Sequence, residues 1–240
     1  MINKESFKKI IDGKQVDIFT LKNKKGMSAD ITNYGAKIVT LFAPDKNGNT
    51  ADVILGFNTL DEWIEKETYF NAVIGRFANR IKDGKFTLNG ENFQLAVNNG
   101  TNHLHGGDSG FNQKIWDVVE HSESMLKLHY LSIDGEENYP GNLDVFVTYA
   151  ITDNNALSIH YEATTDKDTI VGFTNHAYFN LGTPAAGDIL DHELHLNCSQ
   201  VLEMDPTQIP TGVKLDVKGT PQDFTSWRKF GDDILSEFNH

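Results

Sequence analysis

Apolar and polar side chains alternate with period two through the middle of the chain. In residues 143–151 every second side chain is apolar, and after a short polar turn the same alternation resumes at residues 157–161. Alternation over this length is typical of half-buried β-strands, and two such runs joined by a short turn predict an antiparallel hairpin with one buried face. A further alternating run at residues 126–130 predicts another strand just upstream.

Two turn motifs predict further hairpins nearer the N-terminus. Asn89-Gly90 tolerates positive φ and therefore suits a tight type I′ turn between the short apolar runs on either side of it. Asp45-Lys-Asn-Gly48 predicts a second turn, which closes a strand pair at residues 38–42 and 53–55.

Little of the sequence predicts helix. Thr59 is a suitable N-cap for a short helix at Leu60–Lys66, and Asp232–Phe238 favours one helical turn after a long loop with no closing strand. The glycines are spaced as the turns of an all-β chain require. We therefore predict an all-β fold, a large antiparallel β-sandwich that forms a single domain over residues 1–240.

Composition and charge narrow the class of protein. The chain has 240 residues, of which 39% are hydrophobic and 23% charged, as expected of a soluble globular protein. Its net charge of −13 argues against a nucleic-acid partner, because that binding depends on clustered Lys and Arg. One cysteine, Cys198, excludes an intrachain disulfide. There is no apolar run long enough for a membrane partner, so we predict a cytoplasmic protein.

The first of three polar segments is Gly75–Gly84. It places Arg76 and Arg80 four residues apart, with Asn79 between them. Arginine offers a fixed fork of donors and asparagine both a donor and an acceptor, which suits the vicinal hydroxyls of a sugar. The alternative is that these arginines pair with surface carboxylates.

The second segment, Asn98–Gly107, contains His103 and His105. In an extended strand two histidines at i and i+2 point the same way, which would suit a metal site of the cupin type, although the glutamate of that pattern is missing. The glycines that follow His105 instead favour a tight loop that presents an imidazole to a ligand. A turn with incidental histidines is the third possibility.

The third segment, Thr174–Gly182, follows the predicted hairpin. His176 is a candidate acid or base because histidine exchanges a proton near neutral pH. Tyr178 and Phe179 could form an apolar platform for a sugar ring. Taken alone, a single histidine in a strand is more often a hydrogen-bonded structural residue.

Together these segments resemble the aldose 1-epimerase (galactose mutarotase) family. The resemblance runs from about residue 7 to about residue 235 and rests on five motifs in order: Gly75-Arg-Phe-Ala-Asn-Arg-Ile81, Asn102-His-Leu-His-Gly-Gly107, Asp134-Gly-Glu-Glu-Asn-Tyr-Pro-Gly141, Thr174-Asn-His-Ala-Tyr-Phe-Asn-Leu181 and Ile209-Pro-Thr-Gly212. It implies a supersandwich and an isomerase that interconverts the α and β anomers of hexoses such as galactose and glucose. It implies no metal and no cofactor.

The resemblance also assigns roles to individual residues. His176 would be the general acid at the ring oxygen of the hexose. The substrate-binding residues would be Asn79, Arg80, His105, Ala177, Tyr178 and Phe179. A metal enzyme using His103, His105 and His176 is the competing hypothesis of another class.

One part of the family pattern is not found. Family members continue through an aspartate motif that binds substrate and a glutamate that serves as the base, and none of Glu193, Glu203 and Glu237 lies in such a motif. We therefore expect a mutarotase that lacks the C-terminal part of the family fold and, with it, the base. The alternative function is a hexose-binding relative with impaired catalysis.

Overall fold

A computed structural model describes residues 2–183 and 187–232. The predicted helical turn at Asp232–Phe238 lies outside the described residues from position 233 onward. Contacts divide the chain into two compact units, one of residues 1–179 and one that begins at Asn180. The single-domain organisation of residues 1–240 stays a prediction. None of the helices in the described ranges has the length and apolar character needed to cross a membrane.

The first unit is built almost entirely of antiparallel strands. In chain order they are β1 (Lys9–Ile11), β2 (Lys14–Val16), β3 (Ile18–Lys22), β4 (Ser28–Thr32), β5 (Ile38–Pro44), β6 (Thr50–Asp52), β7 (Val73–Ile74), β8 (Arg80–Ile81), β9 (Lys85–Leu88), β10 (Glu91–Gln94), β11 (His103–Leu104), β12 (Asp117–His121), β13 (Met125–Ser132), β14 (Leu143–Ile151), β15 (Leu157–Thr165) and β16 (Thr174–Asn175). The helical segments are α1 (Leu60–Glu65) and the 3₁₀ turns Lys4–Phe7, Lys82–Gly84, Phe111–Gln113 and Glu136–Asn138.

Two four-stranded sheets, with the orders β3-β4-β5-β6 and β12-β13-β14-β15, form the sandwich. Side chains from both sheets share one apolar cluster. The alternation in residues 143–151 lies along β14, whose odd-numbered side chains from Leu143 to Ile151 are buried. β14 pairs with β13 and β15 over its whole length. The predicted all-β sandwich is confirmed.

The predicted turns are present, with one shift of a strand. Asn89 and Gly90 both have positive φ, and the turn they form aligns Phe86 with Phe93. The Asp45 carboxylate accepts hydrogen bonds from the backbone N–H groups of Asn47 and Asn49. These bonds tighten the turn. β5 pairs with Thr50–Asp52, and of the predicted residues 53–55 Val53 adds a single backbone bond, from its N–H to the Leu41 carbonyl.

The short helix forms where its cap predicts. Thr59 accepts a hydrogen bond from the backbone N–H of Glu62, while the Glu62 carboxylate accepts one from the N–H of Asn58. These bonds satisfy donors that the first turn leaves unpaired. The helix buries Leu60 and Trp63 in a second, smaller apolar cluster.

The second unit contains two short strand pairs in its described part. β17 (Glu193–Leu194) pairs with β20 (Arg228–Lys229), and β18 (Gln200–Met204) pairs with β19 (Pro210–Asp216). A 3₁₀ turn follows at Phe230–Asp232. The side chains of these strands are mostly exposed.

Candidate active site

Two short antiparallel pairings bring the three polar segments together. β7 pairs with β16, which joins the start of the first segment to the third, and β8 pairs with β11, which joins its end to the second. Gly106 shows how closely the first two segments approach. A Cβ atom there would lie 1.8 Å from the carbonyl oxygen of Gly75, so only glycine fits.

His105 is buried and is held by the backbone of Asn79. Its Nδ1 accepts a hydrogen bond from the Asn79 N–H at 2.9 Å, and its own backbone N–H donates to the Asn79 carbonyl at 3.0 Å. Since Nδ1 accepts, the proton of the neutral ring is on Nε2. Burial, and then the positive charges of His176 and Arg80, lower the pKa of His105 to about 4. At neutral pH its ring is therefore a neutral donor through Nε2.

His176 is fixed by its backbone, and its ring stands at right angles to that of His105. The His176 N–H donates to Ala72 and its carbonyl accepts from Asn71. The two imidazole centroids are 5.1 Å apart with an interplanar angle of 89°. The ring nitrogens of His176 make no hydrogen bond to any residue in the described ranges. Both nitrogens are therefore available to a ligand.

Arg80 follows Asn79 directly, and its side chain is oriented by the amides of two asparagines. The Arg80 guanidinium donates from Nε to the amide oxygen of Asn99 at 3.0 Å and from Nη1 to that of Asn79 at 3.2 Å. Its Nη2 has no hydrogen bond to the part of the chain that the structure describes. The fork is thus oriented by two amides and keeps donors for a ligand.

Tyr178 supplies an aromatic surface beside His176. Its ring is stacked on the imidazole at 5.2 Å with an interplanar angle of 20°, and its side chain is 42% exposed. Phe179 forms a backbone bridge with Ile54 and is also exposed, whereas Ala177 packs against the main apolar cluster. Within the described ranges, the Phe179 ring contacts neither imidazole.

Arg76 is not part of this group. It is only 2% exposed, and its guanidinium donates to Ser132 Oγ and to the carbonyls of Ser132, Ile133 and Pro140 at 2.9–3.0 Å. The interpretation of Arg76 as a sugar-binding residue is therefore wrong, and so is its pairing with surface carboxylates. The guanidinium instead satisfies backbone carbonyls inside the fold.

His103 is also separated from the site. It is completely buried, with Nδ1 bonded to the Ala96 carbonyl at 2.8 Å and Nε2 to the Tyr139 hydroxyl at 2.6 Å. Burial lowers the pKa of His103. The left-handed backbone of His105, with φ of 52°, ends the extended geometry that would align the two rings. The geometry does not support a shared metal: in the described ranges no group of three His, Cys, Asp or Glu could hold one.

The Asp134–Gly141 motif braces the second segment. The Glu137 carboxylate accepts hydrogen bonds from the backbone N–H groups of Asp108 and Ser109 at 3.0 and 2.9 Å. Glu136 binds Lys114 at 2.9 Å and accepts a bond from the Tyr130 hydroxyl. The motif therefore fixes the loop that follows His105.

Two residues near the imidazoles are not indicated by any of the three segments. Asn71 is fully buried; its amide donates to Leu55 and accepts from the N–H of Tyr178, which places the third segment. The Tyr69 ring lies against both His105 and His176. Both residues have positive φ, which is uncommon outside glycine, but this signal is visible only in the structure.

The comparisons with known proteins agree with the fold. The family model described as aldose 1-epimerase matches residues 17–240. Galactose mutarotase of Sus scrofa is 42% identical over 208 residues, which are 87% of this chain and 60% of that protein. Aldose 1-epimerase of Escherichia coli K12 is 34% identical over 94% of this chain and 65% of that protein.

Solved structures give the same result. Galactose 1-epimerase from Lactobacillus acidophilus NCFM superposes with a TM-score of 0.84 and 31% identity, covering 95% of this chain and 67% of that one. The GalM/aldose epimerase homologue from C. elegans has a TM-score of 0.83 and 33% identity, covering 89% and 65%. The chain spans about three fifths of the length of the galactose mutarotases of Sus scrofa, Mus musculus and Bos taurus. It belongs to the aldose 1-epimerase family.

Proposed function

We propose that the chain acts as an aldose 1-epimerase, an isomerase that interconverts the α and β anomers of hexoses such as galactose and glucose, with His176 as the general acid. The observation that carries the proposal is the pair of imidazoles at right angles. One is locked as a neutral donor, and the other has both ring nitrogens free of hydrogen bonds to the described residues. Opening of a hemiacetal ring requires an acid at the ring oxygen, and a fixed donor beside that acid can hold the sugar in place.

In the proposed reaction a base removes the proton of the C1 hydroxyl while His176 donates a proton to the ring oxygen. The bond between C1 and the ring oxygen breaks and C1 becomes an aldehyde carbon. After rotation about the C1–C2 bond, the ring hydroxyl attacks the other face of the aldehyde. His176 takes its proton back, and the base returns one to the oxygen on C1. No cofactor takes part.

His105 is not suited to be that base. Its Nδ1 already accepts from the Asn79 backbone and its Nε2 carries the proton of the neutral ring. We assign it instead to hold a sugar oxygen by donating from Nε2. The family resemblance assigns the base to a glutamate motif that neither Glu193 nor Glu203 occupies.

The remaining residues would hold the hexose. The Arg80 fork and the Asn79 amide can bind neighbouring hydroxyls, and the Tyr178 ring offers a flat apolar surface to a sugar face. Ala177 and Phe179 would line the same site. The net charge of −13 supports a small neutral ligand rather than a nucleic acid, and we expect the protein to act on it in the cytoplasm.

Polarimetry tests the proposal. The optical rotation of freshly dissolved α-galactose should relax faster with the protein than in buffer. Replacing His176 by asparagine should lower this excess rate by about 10²–10⁴-fold, the usual contribution of a positioned acid. The matched control is His160→Asn, because His160 is exposed on β15 and should leave the rate unchanged.

Two results would contradict the proposal in different ways. A His176→Asn variant with the wild-type rate would remove His176 from the acid role. A wild-type rate equal to that of buffer, together with saturable galactose binding by calorimetry, would select the hexose-binding relative without catalysis.

A further inference from the structure

Tyr69 lies where the two imidazoles meet. Its ring centroid is 4.8 Å from that of His105 in an edge-to-face arrangement with an interplanar angle of 65°. It is 6.3 Å from that of His176, where the two rings are nearly parallel at 26°. One half-buried ring therefore lies beside both imidazoles, closer to His105 than to His176, and in a different geometry relative to each.

The backbone of Tyr69 is in an unusual conformation. Its φ is 60°, in the left-handed region that bulky residues rarely adopt. Such a conformation persists only where the surrounding structure determines it, and it clusters at functional sites. The backbone N–H of Tyr69 donates to Oε1 of Glu67 at 3.2 Å, and its carbonyl accepts from the N–H of Ala72.

Glu67 is itself fixed by a buried network. Its Oε2 lies 2.9 Å from Nζ of Lys37, whose side chain is completely buried, and its Oε1 also accepts from the Asn112 amide at 2.9 Å. The Lys37 ammonium lies over the Tyr34 ring at 4.7 Å. Burial lowers the pKa of Lys37. A buried ammonium requires its partner, so the position of the Glu67 carboxylate is strongly determined.

The Tyr69 hydroxyl makes no hydrogen bond within the described ranges. Burial, and then the negative charges of Glu67 and Asp108, raise the pKa of Tyr69, so the phenol stays neutral. The contribution of the residue to the site is therefore that of an aromatic ring in a fixed place, and not that of a charge.

We propose that Tyr69 is a positioning residue that holds the imidazoles of His105 and His176 at right angles to each other. The arrangement would direct the acid and the fixed donor at one sugar, and only this purpose rests on the proposed function. The arrangement itself can be tested without turnover.

The test uses the full chain with histidine labelled in ¹³C and ¹⁵N. Tyr69→Leu removes the ring and should move the ring-proton signals of both His105 and His176, because the ring current and the packing surface are lost. Tyr69→Phe should leave both signals close to their wild-type positions. The matched control is Phe146→Leu. It removes a ring from the face of β14 that does not pack into the core, and it should move the signals of neither histidine.

The rate measurement has the same pattern. We expect Tyr69→Leu to lower the excess rate of mutarotation by about 10²-fold, the size of effect that a displacement of about 1 Å has on reacting groups. Tyr69→Phe keeps the ring and should retain most of the wild-type rate. If the wild-type chain shows no turnover, the proposed function fails while the imidazole signals still decide the role of Tyr69.

Three outcomes would overturn the proposal. In the first, Tyr69→Leu leaves both imidazole signals where Phe146→Leu leaves them. In the second, Tyr69→Phe loses as much rate as Tyr69→Leu, which would assign the role to the hydroxyl. Because the leucine variant could fail to fold, the third uses the wild-type chain alone: the absence of nuclear Overhauser contacts from the Tyr69 ring to both imidazoles.

Discussion

Two arginines and two histidines from the same segments end in opposite environments. Arg76 and His103 belong to a buried brace, which we define as Arg76, His103, Ser132, Glu136 and Tyr139. Arg80 and His105 belong to the candidate sugar site, together with Asn79, His176 and Tyr178. In the brace every guanidinium and imidazole nitrogen bonds to the fold. In the site some of these atoms have no hydrogen bond to the described residues.

The difference shows that the hydrogen-bond partners of a side chain, and not its residue type, distinguish the structural residues from the candidate functional ones. A buried polar group is stable only when its hydrogen bonds are made, and the brace makes them largely with backbone carbonyls. The site residues are oriented by a minority of their donors and acceptors. The remaining ones are available for a ligand. Substitutions in the brace should therefore affect stability, and those in the site should affect sugar binding.

The largest expected effect comes from Arg76→Met. The change leaves the carbonyls of Ser132, Ile133 and Pro140 without the guanidinium that binds them, which we expect to lower the free energy of unfolding by about 3–5 kcal/mol. Urea denaturation measures it. Arg80→Met is the matched control, with a loss of less than about 1 kcal/mol and weaker galactose binding. Equal losses of stability in the two variants would remove the distinction between brace and site.

The second prediction is that the folded chain loses stability in acid because of His105. The pKa of His105 is about 4 in the folded chain, below its ordinary value of 6.5, so the unfolded chain binds more protons between these values. Stability is therefore present above pH 6.5 and is lost as the pH falls toward 4, by up to about 3 kcal/mol.

His105→Gln should not show this loss. Denaturant titrations at several pH values would compare the wild type with the variant. The wild-type free energy of unfolding should fall more steeply over this window than that of His105→Gln. Parallel curves would show that His105 does not stay neutral in the folded chain.

The smallest expected effect on the free energy of unfolding comes from removing one tyrosine hydroxyl in each region. Tyr139→Phe removes the buried bond to Nε2 of His103 and should lower the free energy of unfolding by about 1–2 kcal/mol. Tyr178→Phe removes an exposed hydroxyl and should change it by less than about 0.5 kcal/mol. Thermal melts of the two variants check this pair, and an identical effect of both changes would argue against the comparison.

Much of the sandwich follows from the alternation of side chains. The runs at residues 126–130 and 143–161 place their apolar positions on the core-facing sides of β13, β14 and β15, although those of β15 are only partly buried. The turn at Asn89-Gly90 follows from residues that tolerate positive φ. The pairing of β6 is shifted because side-chain bonds inside the Asp45 turn decide its length, and period-two patterns do not contain that information.

The environments of the candidate residues could be predicted only in part. A spacing of four residues orders side chains on a helix, but residues 76–80 form an irregular segment, so nothing in the spacing separates Arg76 from Arg80. The i, i+2 rule for His103 and His105 holds only in extended backbone, and His105 is left-handed. Tyr69 lies outside every motif, and its backbone is bound to Glu67, whose partner Lys37 lies 30 positions away in the chain.

The most direct test of the division between brace and site follows the three histidines in one experiment. Galactose is titrated into the histidine-labelled chain and the imidazole signals are recorded. The signals of His105 and His176 should move in a saturable way, while that of His103 should stay in place. If no imidazole signal responds to the sugar, or if His103 moves as much as the other two, the division is wrong.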